Sequence, residues 1–202
     1  MQQKLFFDSV NNLIPFDGEA DYFPEFFTKE ESARHFLDLR QKVIWKQEPI
    51  KIFGKEVMQP RLTALYGNPD IPYGYSGIEM ESHEWIPVLQ GIKNRVEDLA
   101  GQEFTHVLLN YYRDGQDSMG WHRDNESVLG KNPVIASVSF GEEREFQFRH
   151  YERKQIKRKI MLQNGSLLIM KGATQHFWEH QLPKRKRVSR PRINLTFRKI
   201  LT

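Results

Sequence analysis

The chain has no cysteine in its 202 residues. Disulfides, thiolate zinc sites and a cysteine nucleophile are therefore excluded, and the composition is compatible with a reducing compartment. No stretch approaches the roughly 18 consecutive apolar residues that a membrane-spanning helix needs. Met1 to Val10 lacks the basic start and apolar run of a secretory signal. Internal repeats and low-complexity tracts are missing too. The expectation is a soluble intracellular protein, cytoplasmic in a bacterium or nuclear in a eukaryote, with no membrane partner.

What is present suits one globular domain spanning residues 1–202: 39% of the residues are hydrophobic and 12% aromatic, enough for a sizeable core. The net charge is only +4, but it is unevenly spread. Lys184, Arg185, Lys186, Arg187, Arg190 and Arg192 make six cations in nine residues, and six more fall between Arg149 and Lys159. Such clusters suit a polyanion such as nucleic acid, and equally suit solvated loops.

Along the chain, residues 1–27 read as an irregular arm broken by Pro15, Gly18 and Pro24. Thr28 and Glu31 have capping-box spacing, and Phe36, Leu39 and Val43 behind them predict a helix to about Trp45. From about 49 to 84 the pattern is short extended pieces and turns, where Gly54 suggests a hairpin tip carrying Phe53 outward. A second helix is bracketed by Pro87 and Gly101. After Gly101 the period becomes two, with strands expected at 104–112, 134–140, 145–150, 166–170 and 192–200. Helices followed by uninterrupted strands argue for an α+β fold with an antiparallel barrel or jelly roll at about 104–200.

One pair carries chemistry. His122 and Asp124 are two apart, so on an extended backbone their side chains share a face. With one distant histidine they would form the 2-His-1-carboxylate set that leaves open positions on non-haem iron. His150, His176 and His180 are downstream candidates; His150 reads as surface, and spacing does not separate the other two. In Arg192–Arg198 the apolar Ile193, Leu195 and Phe197 alternate with Arg192, Asn194, Thr196 and Arg198. Alternation alone favours an amphipathic strand with both arginines in water. If that face turned into the barrel instead, the guanidiniums would demand an anion such as a dicarboxylate, with Asn110 and Tyr112 as neighbouring donors.

Taken together, the segments 109–115, 122–124, 135–141, 165–170, 179–183 and 192–198 resemble the AlkB family of Fe(II)/2-oxoglutarate dioxygenases, and most of all its branch that repairs duplex DNA through a finger hairpin. The resemblance implies a double-stranded β-helix (jelly-roll) core with N-terminal helices and a nucleotide-recognition lid. It implies iron held by His122, Asp124 and His180, and 2-oxoglutarate held by Asn110, Tyr112, Arg192, Asn194 and Arg198, with O2 as the second co-substrate. Phe53 would enter the base stack. Tyr73, Tyr75 and Ser76 would face the target base, with Tyr75 and His122 sandwiching it. Arg61, Glu126 and Lys184, Arg185, Lys186 and Arg187 would contribute to substrate binding. Two departures stand out: Tyr75 replaces a phenylalanine, and Asn125 takes the place of an acid that Glu126 follows. The implied reaction is oxidative demethylation of 1-methyladenine or 3-methylcytosine in single- or double-stranded DNA by a monomer. RNA, protein or small-molecule substrates, or a non-catalytic binding module, are the rival readings.

Overall fold

The computed structural model describes residues 12–52, 55–71, 74–75, 78–79 and 81–201. In chain order the elements are β1 (Glu19–Phe23), α1 (Lys29–Lys42), β2 (Pro49–Ile52), β3 (Lys55–Met58), β4 (Leu62–Gly67), β5 (Gly74–Tyr75), β6 (Ile78–Glu79), β7 (Ser82–His83) and α2 (Pro87–Ala100). There follow β8 (His106–Tyr112), β9 (Met119–His122), β10 (Ile135–Gly141), β11 (Arg144–His150), β12 (Lys157–Leu162), β13 (Ser166–Lys171), α3 (Thr174–Phe177), β14 (Trp178–Leu182) and β15 (Arg192–Arg198).

Seven strands form a major sheet in the order β1-β13-β10-β15-β8-β4-β7, and four form a minor sheet, β12-β11-β14-β9. All neighbours are antiparallel except β4 and β7. This is a jelly-roll core. The helices cover one face of the major sheet: Leu39 of α1, Val43 just past its end and Leu89, Ile92 and Val96 of α2 pack with Ile193, Leu195 and Phe197 of β15. The other face meets the minor sheet through Leu108, Ile135, Leu168, Phe148 and Trp178. β15 therefore has a greasy face toward the helices and a polar face toward the space between the sheets, which is where the site forms.

Both helices start as their sequences predict. The Thr28 hydroxyl accepts from the Glu31 amide at 3.2 Å, and the Glu31 carboxylate accepts from the Thr28 amide at 2.8 Å. Pro87 opens α2, and Gly101 closes it in the left-handed conformation at φ 64°. α1, however, stops at Lys42 rather than near Trp45. Val43 turns extended, the Ile44 amide donates to the Tyr66 hydroxyl at 3.0 Å, and Trp45 packs on Tyr111. Tertiary contacts override the helical period there.

Two further expectations need correction. The arm 1–27 is not irregular throughout: β1 pairs with β13, with Ala20 and Tyr22 directed into the second core. His150 is not at the surface but fully buried. On β11 it falls on the inward face with Arg144 and Phe148, and it packs against Phe16, Phe177 and Trp178. Its Nε2 lies 3.2 Å from Asp17 Oδ2. β9, β12 and β14 were absent from the strand pattern read in the sequence. β2 and β3 pair as a hairpin flanking residues 53–54. Phe53, Tyr73 and Ser76 themselves lie outside the described residues, as does the side chain of Tyr75.

Candidate metal centre and co-substrate pocket

β14 lies between β11 and β9, and the register sets His180 directly opposite His122 on one side and Phe148 on the other. The imidazoles of His122 and His180 meet edge to face at 4.2 Å between centroids. Asp124 lies just past the end of β9. Its amide donates to Oε1 of the buried Gln175 at 2.9 Å, which fixes the turn that carries the carboxylate back toward the histidines. One ligand atom from each of His122, Asp124 and His180 falls within 4.8 Å of the other two.

The protonation states suit a metal. His122 Nδ1 is 2.8 Å from the Gly120 carbonyl, which only accepts, so Nδ1 carries the proton and Nε2 keeps its lone pair. That Nε2 is 3.9 Å from Asp124 Oδ1. Asp124 Oδ1 and His180 Nδ1 are buried with no hydrogen-bond partner among the described residues, an arrangement that costs free energy unless something fills the gap. Burial pushes His180 down to about 3, with the neighbouring His122 adding to the shift, and burial likewise lowers His122. Burial alone would raise Asp124, but Arg198 and the two histidines hold it down at about 2. One carboxylate and two neutral imidazoles are the donor set that a divalent iron takes.

From this cluster a pocket runs along the polar face of β15. Arg198 is next to Asp124, with a 2.9 Å hydrogen bond from Nη2 to Oδ2. Asn194 donates to the Ser137 hydroxyl at 2.8 Å and to the Val138 carbonyl at 3.0 Å, and Asn110 lies opposite it in the register. Arg192 closes the far end opposite Tyr112, its Nη2 donating to Ser139 Oγ at 2.9 Å. Arg192 and Arg198 are 2% and 3% exposed, so the solvent-facing alternative is overturned: this face of the strand looks into the barrel. Arg192 has no carboxylate within ion-pair distance among the described residues, and its Nε lacks a hydrogen-bond partner. Burial lowers it to about 10. A buried cation without an anion fits a ligand that brings one.

The remaining expected residues divide. Arg61 is buried, and its Nε donates to Asn110 Oδ1 at 2.6 Å, so it reaches the pocket through Asn110. Glu126 is half-buried beside the cluster; burial and the Asp124 charge push its carboxyl up. Lys184, Lys186 and Arg187 are exposed, whereas Arg185 is ion-paired with Glu145. The second basic run is partly compensated: Arg149 meets Glu179 at 2.6 Å and Arg153 meets Asp17 at 3.3 Å. His176 stays apart from the cluster, its ring at the Lys131 carbonyl and 3.1 Å from Asn132 Oδ1. Sequence reasoning missed Gln175, for which no local signal exists. It also missed Phe146, whose ring stacks on His180 at 5.4 Å and whose inward register on β11 was readable.

The 2OG-Fe(II) oxygenase superfamily matches residues 19–198. Iron(II), 2-oxoglutarate and dioxygen are the reagents of that class, and the pocket and its donor set accord with them. The chain is 43% identical to mouse DNA oxidative demethylase ALKBH2 over 195 residues, covering 92% of this chain and 82% of the relative. It is 43% identical to human alpha-ketoglutarate-dependent dioxygenase alkB homolog 3 over 187 residues, 88% of this chain and 65% of the relative. The solved structure of OsALKBH1 superposes with a TM-score of 0.67, covering 92% of this chain and 99% of that one at 16% identity, a likeness of fold. The chain belongs to the AlkB family of Fe(II)/2-oxoglutarate-dependent dioxygenases.

Proposed function

We propose that the enzyme removes N-alkyl groups from bases of DNA by oxidation, restoring the base and releasing an aldehyde, with 1-methyladenine and 3-methylcytosine as the lesion type. The observation that carries the reading is a pocket with a His-Asp-His donor set at one end and a buried, anion-free arginine at the other. Identity with relatives named as DNA oxidative demethylases supports DNA as the substrate.

In this reading His122, Asp124 and His180 hold the iron. When bound, the iron and 2-oxoglutarate supply the oxidising chemistry, in which O2 is consumed and 2-oxoglutarate leaves as succinate and CO2. The Gly120 carbonyl keeps His122 in the tautomer that presents Nε2. Arg198 balances the charge of Asp124 and remains beside the metal-proximal end of the co-substrate. Arg192, Tyr112 and Asn110 receive its distal carboxylate, and Asn194 lines the wall between. The arginine fork gives that end its preference for a planar dianionic group.

A base within a duplex must leave the stack to reach His122, at a cost of a few kcal/mol that is least for a damaged base. Phe53 fills the vacated gap, Tyr73, Tyr75 and Ser76 cover the flipped base, and Lys184, Lys186 and Arg187 hold phosphates. The deciding experiment is mass spectrometry of a 1-methyladenine oligonucleotide, single-stranded and duplex, with Fe(II), 2-oxoglutarate and ascorbate. Loss of one methyl dependent on both iron and 2-oxoglutarate is expected. Turnover of 2-oxoglutarate with intact DNA would redirect the activity to RNA or protein.

A further inference from the structure

Arg144 has no place in the site so far, yet it is a fully buried cation close to it. It opens β11, is 1% exposed, and does not line the pocket. Among the described residues its guanidinium donates only to main-chain carbonyls: Nη1 to Asp114 at 3.1 Å, and Nη2 to Asp117 at 3.1 Å and Pro183 at 2.8 Å. No carboxylate among the described residues lies within ion-pair distance of it. The buried carboxylate of Asp117, whose main-chain carbonyl Arg144 holds, is engaged by Arg113 through Nε at 2.8 Å and Nη2 at 2.9 Å. Two guanidiniums lie near the Tyr112 ring, that of Arg192 at 5.3 Å from its centroid and that of Arg144 at 6.0 Å.

Two buried positive charges thus lie close to Tyr112 near one end of the pocket; among the described residues no carboxylate is within ion-pair distance of either, and the buried Asp117 nearby is already paired with Arg113. A structural arginine that only tied loops together would more cheaply be a neutral donor, because desolvating the charge is costly. The charge is retained at the place where the co-substrate brings a carboxylate. We propose that Arg144 is a positioning residue for the distal carboxylate of 2-oxoglutarate, acting through Tyr112 and through its own field to make that end of the pocket select a dianion. Its carbonyl cage also fixes the Asp114–Asp117 loop that follows Tyr112, so charge and shape are set by one side chain. The proposal rests on the assignment of Arg192 to that carboxylate.

The test is calorimetric binding of 2-oxoglutarate and of 2-oxovalerate to anaerobic Fe(II)-loaded protein. The second ligand has the same length with a methyl in place of the distal carboxylate. At an effective dielectric of about 20, a charge about 10 Å away contributes about tenfold in affinity. Arg144→Met is expected to weaken 2-oxoglutarate about tenfold and leave 2-oxovalerate within about twofold, while Arg144→Lys retains most of the discrimination. If Arg144→Met does not fold, Arg144→Gln carries the same comparison. Equal weakening of both ligands, no weakening of either, or Arg144→Lys behaving like Arg144→Met would overturn the proposal. Equal binding of the two ligands by the unmodified enzyme would instead overturn the assignment of Arg192, and the proposal with it.

Discussion

Arg198 Nη2 and Asp124 Oδ2 are 2.9 Å apart, with side chains only 3% and 2% exposed. This ion pair ties the carboxylate of the metal cluster to the last strand of the major sheet. The pairing offsets the cost of burying both charges. Removing the carboxylate takes its ion-pair partner from a buried guanidinium, and breaking such a pair costs on the order of 3 kcal/mol. Asp124→Ala should therefore unfold at lower temperature without metal, and should also lose the metal-dependent rise in Tm. A thermal scan with and without Mn(II) reads both effects. Retention of the metal-dependent rise would remove Asp124 from the ligand set.

The depressed histidines set a pH dependence for the metal-free fold. His180 is held near 3 and His122 is also lowered, so below about pH 6.5 the unfolded chain takes up protons that the folded one refuses. Stability should fall as pH drops from about 6.5 to about 4, by up to about 1.4 kcal/mol per pH unit for each such histidine. Asp124 acts in the same sense in a lower window: its depressed value stabilises the fold above its unfolded pKa, and that contribution is lost as pH falls toward about 2. Urea titrations across this range check the slope, and His180→Gln should make it shallower.

The exposed loop cations should be read through salt. Reversing Lys184, Lys186 and Arg187 to Glu is expected to weaken oligonucleotide binding and to lower the slope of log affinity against log salt by about 2 to 3. Fluorescence anisotropy at several salt concentrations measures it. Arg185 is left out because Glu145 already holds it. An unchanged slope would mean that the loop is simply solvated.

Gly115 anchors that loop. Its amide donates to the Val188 carbonyl at 2.9 Å, its carbonyl accepts from the Arg185 amide at 2.7 Å, and a Cβ there would lie 1.8 Å from the Arg185 carbonyl oxygen. Backbone has to move to admit a methyl. Gly115→Ala is expected to cost about 1–3 kcal/mol in stability and to weaken oligonucleotide binding more than 2-oxoglutarate binding. Chemical denaturation and anisotropy test the two halves of that statement.

Most of the fold was legible where one period persisted. β8, β10, β11, β13 and β15 fall within a residue or two of their sequence patterns, and both helix starts follow from Thr28–Glu31 and Pro87. β9, β12 and β14 were not legible, because Met119–His122 is short, Lys157–Leu162 runs three cations into three apolar residues without alternation, and Trp178–Leu182 joins polar residues to large rings. The chemistry residues were legible as types, but their convergence was not. His122 and His180 are neighbours only because β9 and β14 pair across the minor sheet, a long-range relation that no local pattern encodes. Likewise, the alternation in β15 separated two faces without saying which one met water; the helices packed on Ile193, Leu195 and Phe197 decided that. The burial of His150 was written in the period of β11 and masked by the charged run after it.

Among the described residues, β2 and β3 pair only with each other, and so do β5 and β6. Neither small hairpin shares a strand pairing with the two sheets that carry the His122, Asp124 and His180 cluster and the Arg192 pocket. Under the proposed function, substitutions there would retune which nucleobase is admitted while leaving the strand pairings behind the oxidative chemistry in place, a fixed engine with exchangeable tooling.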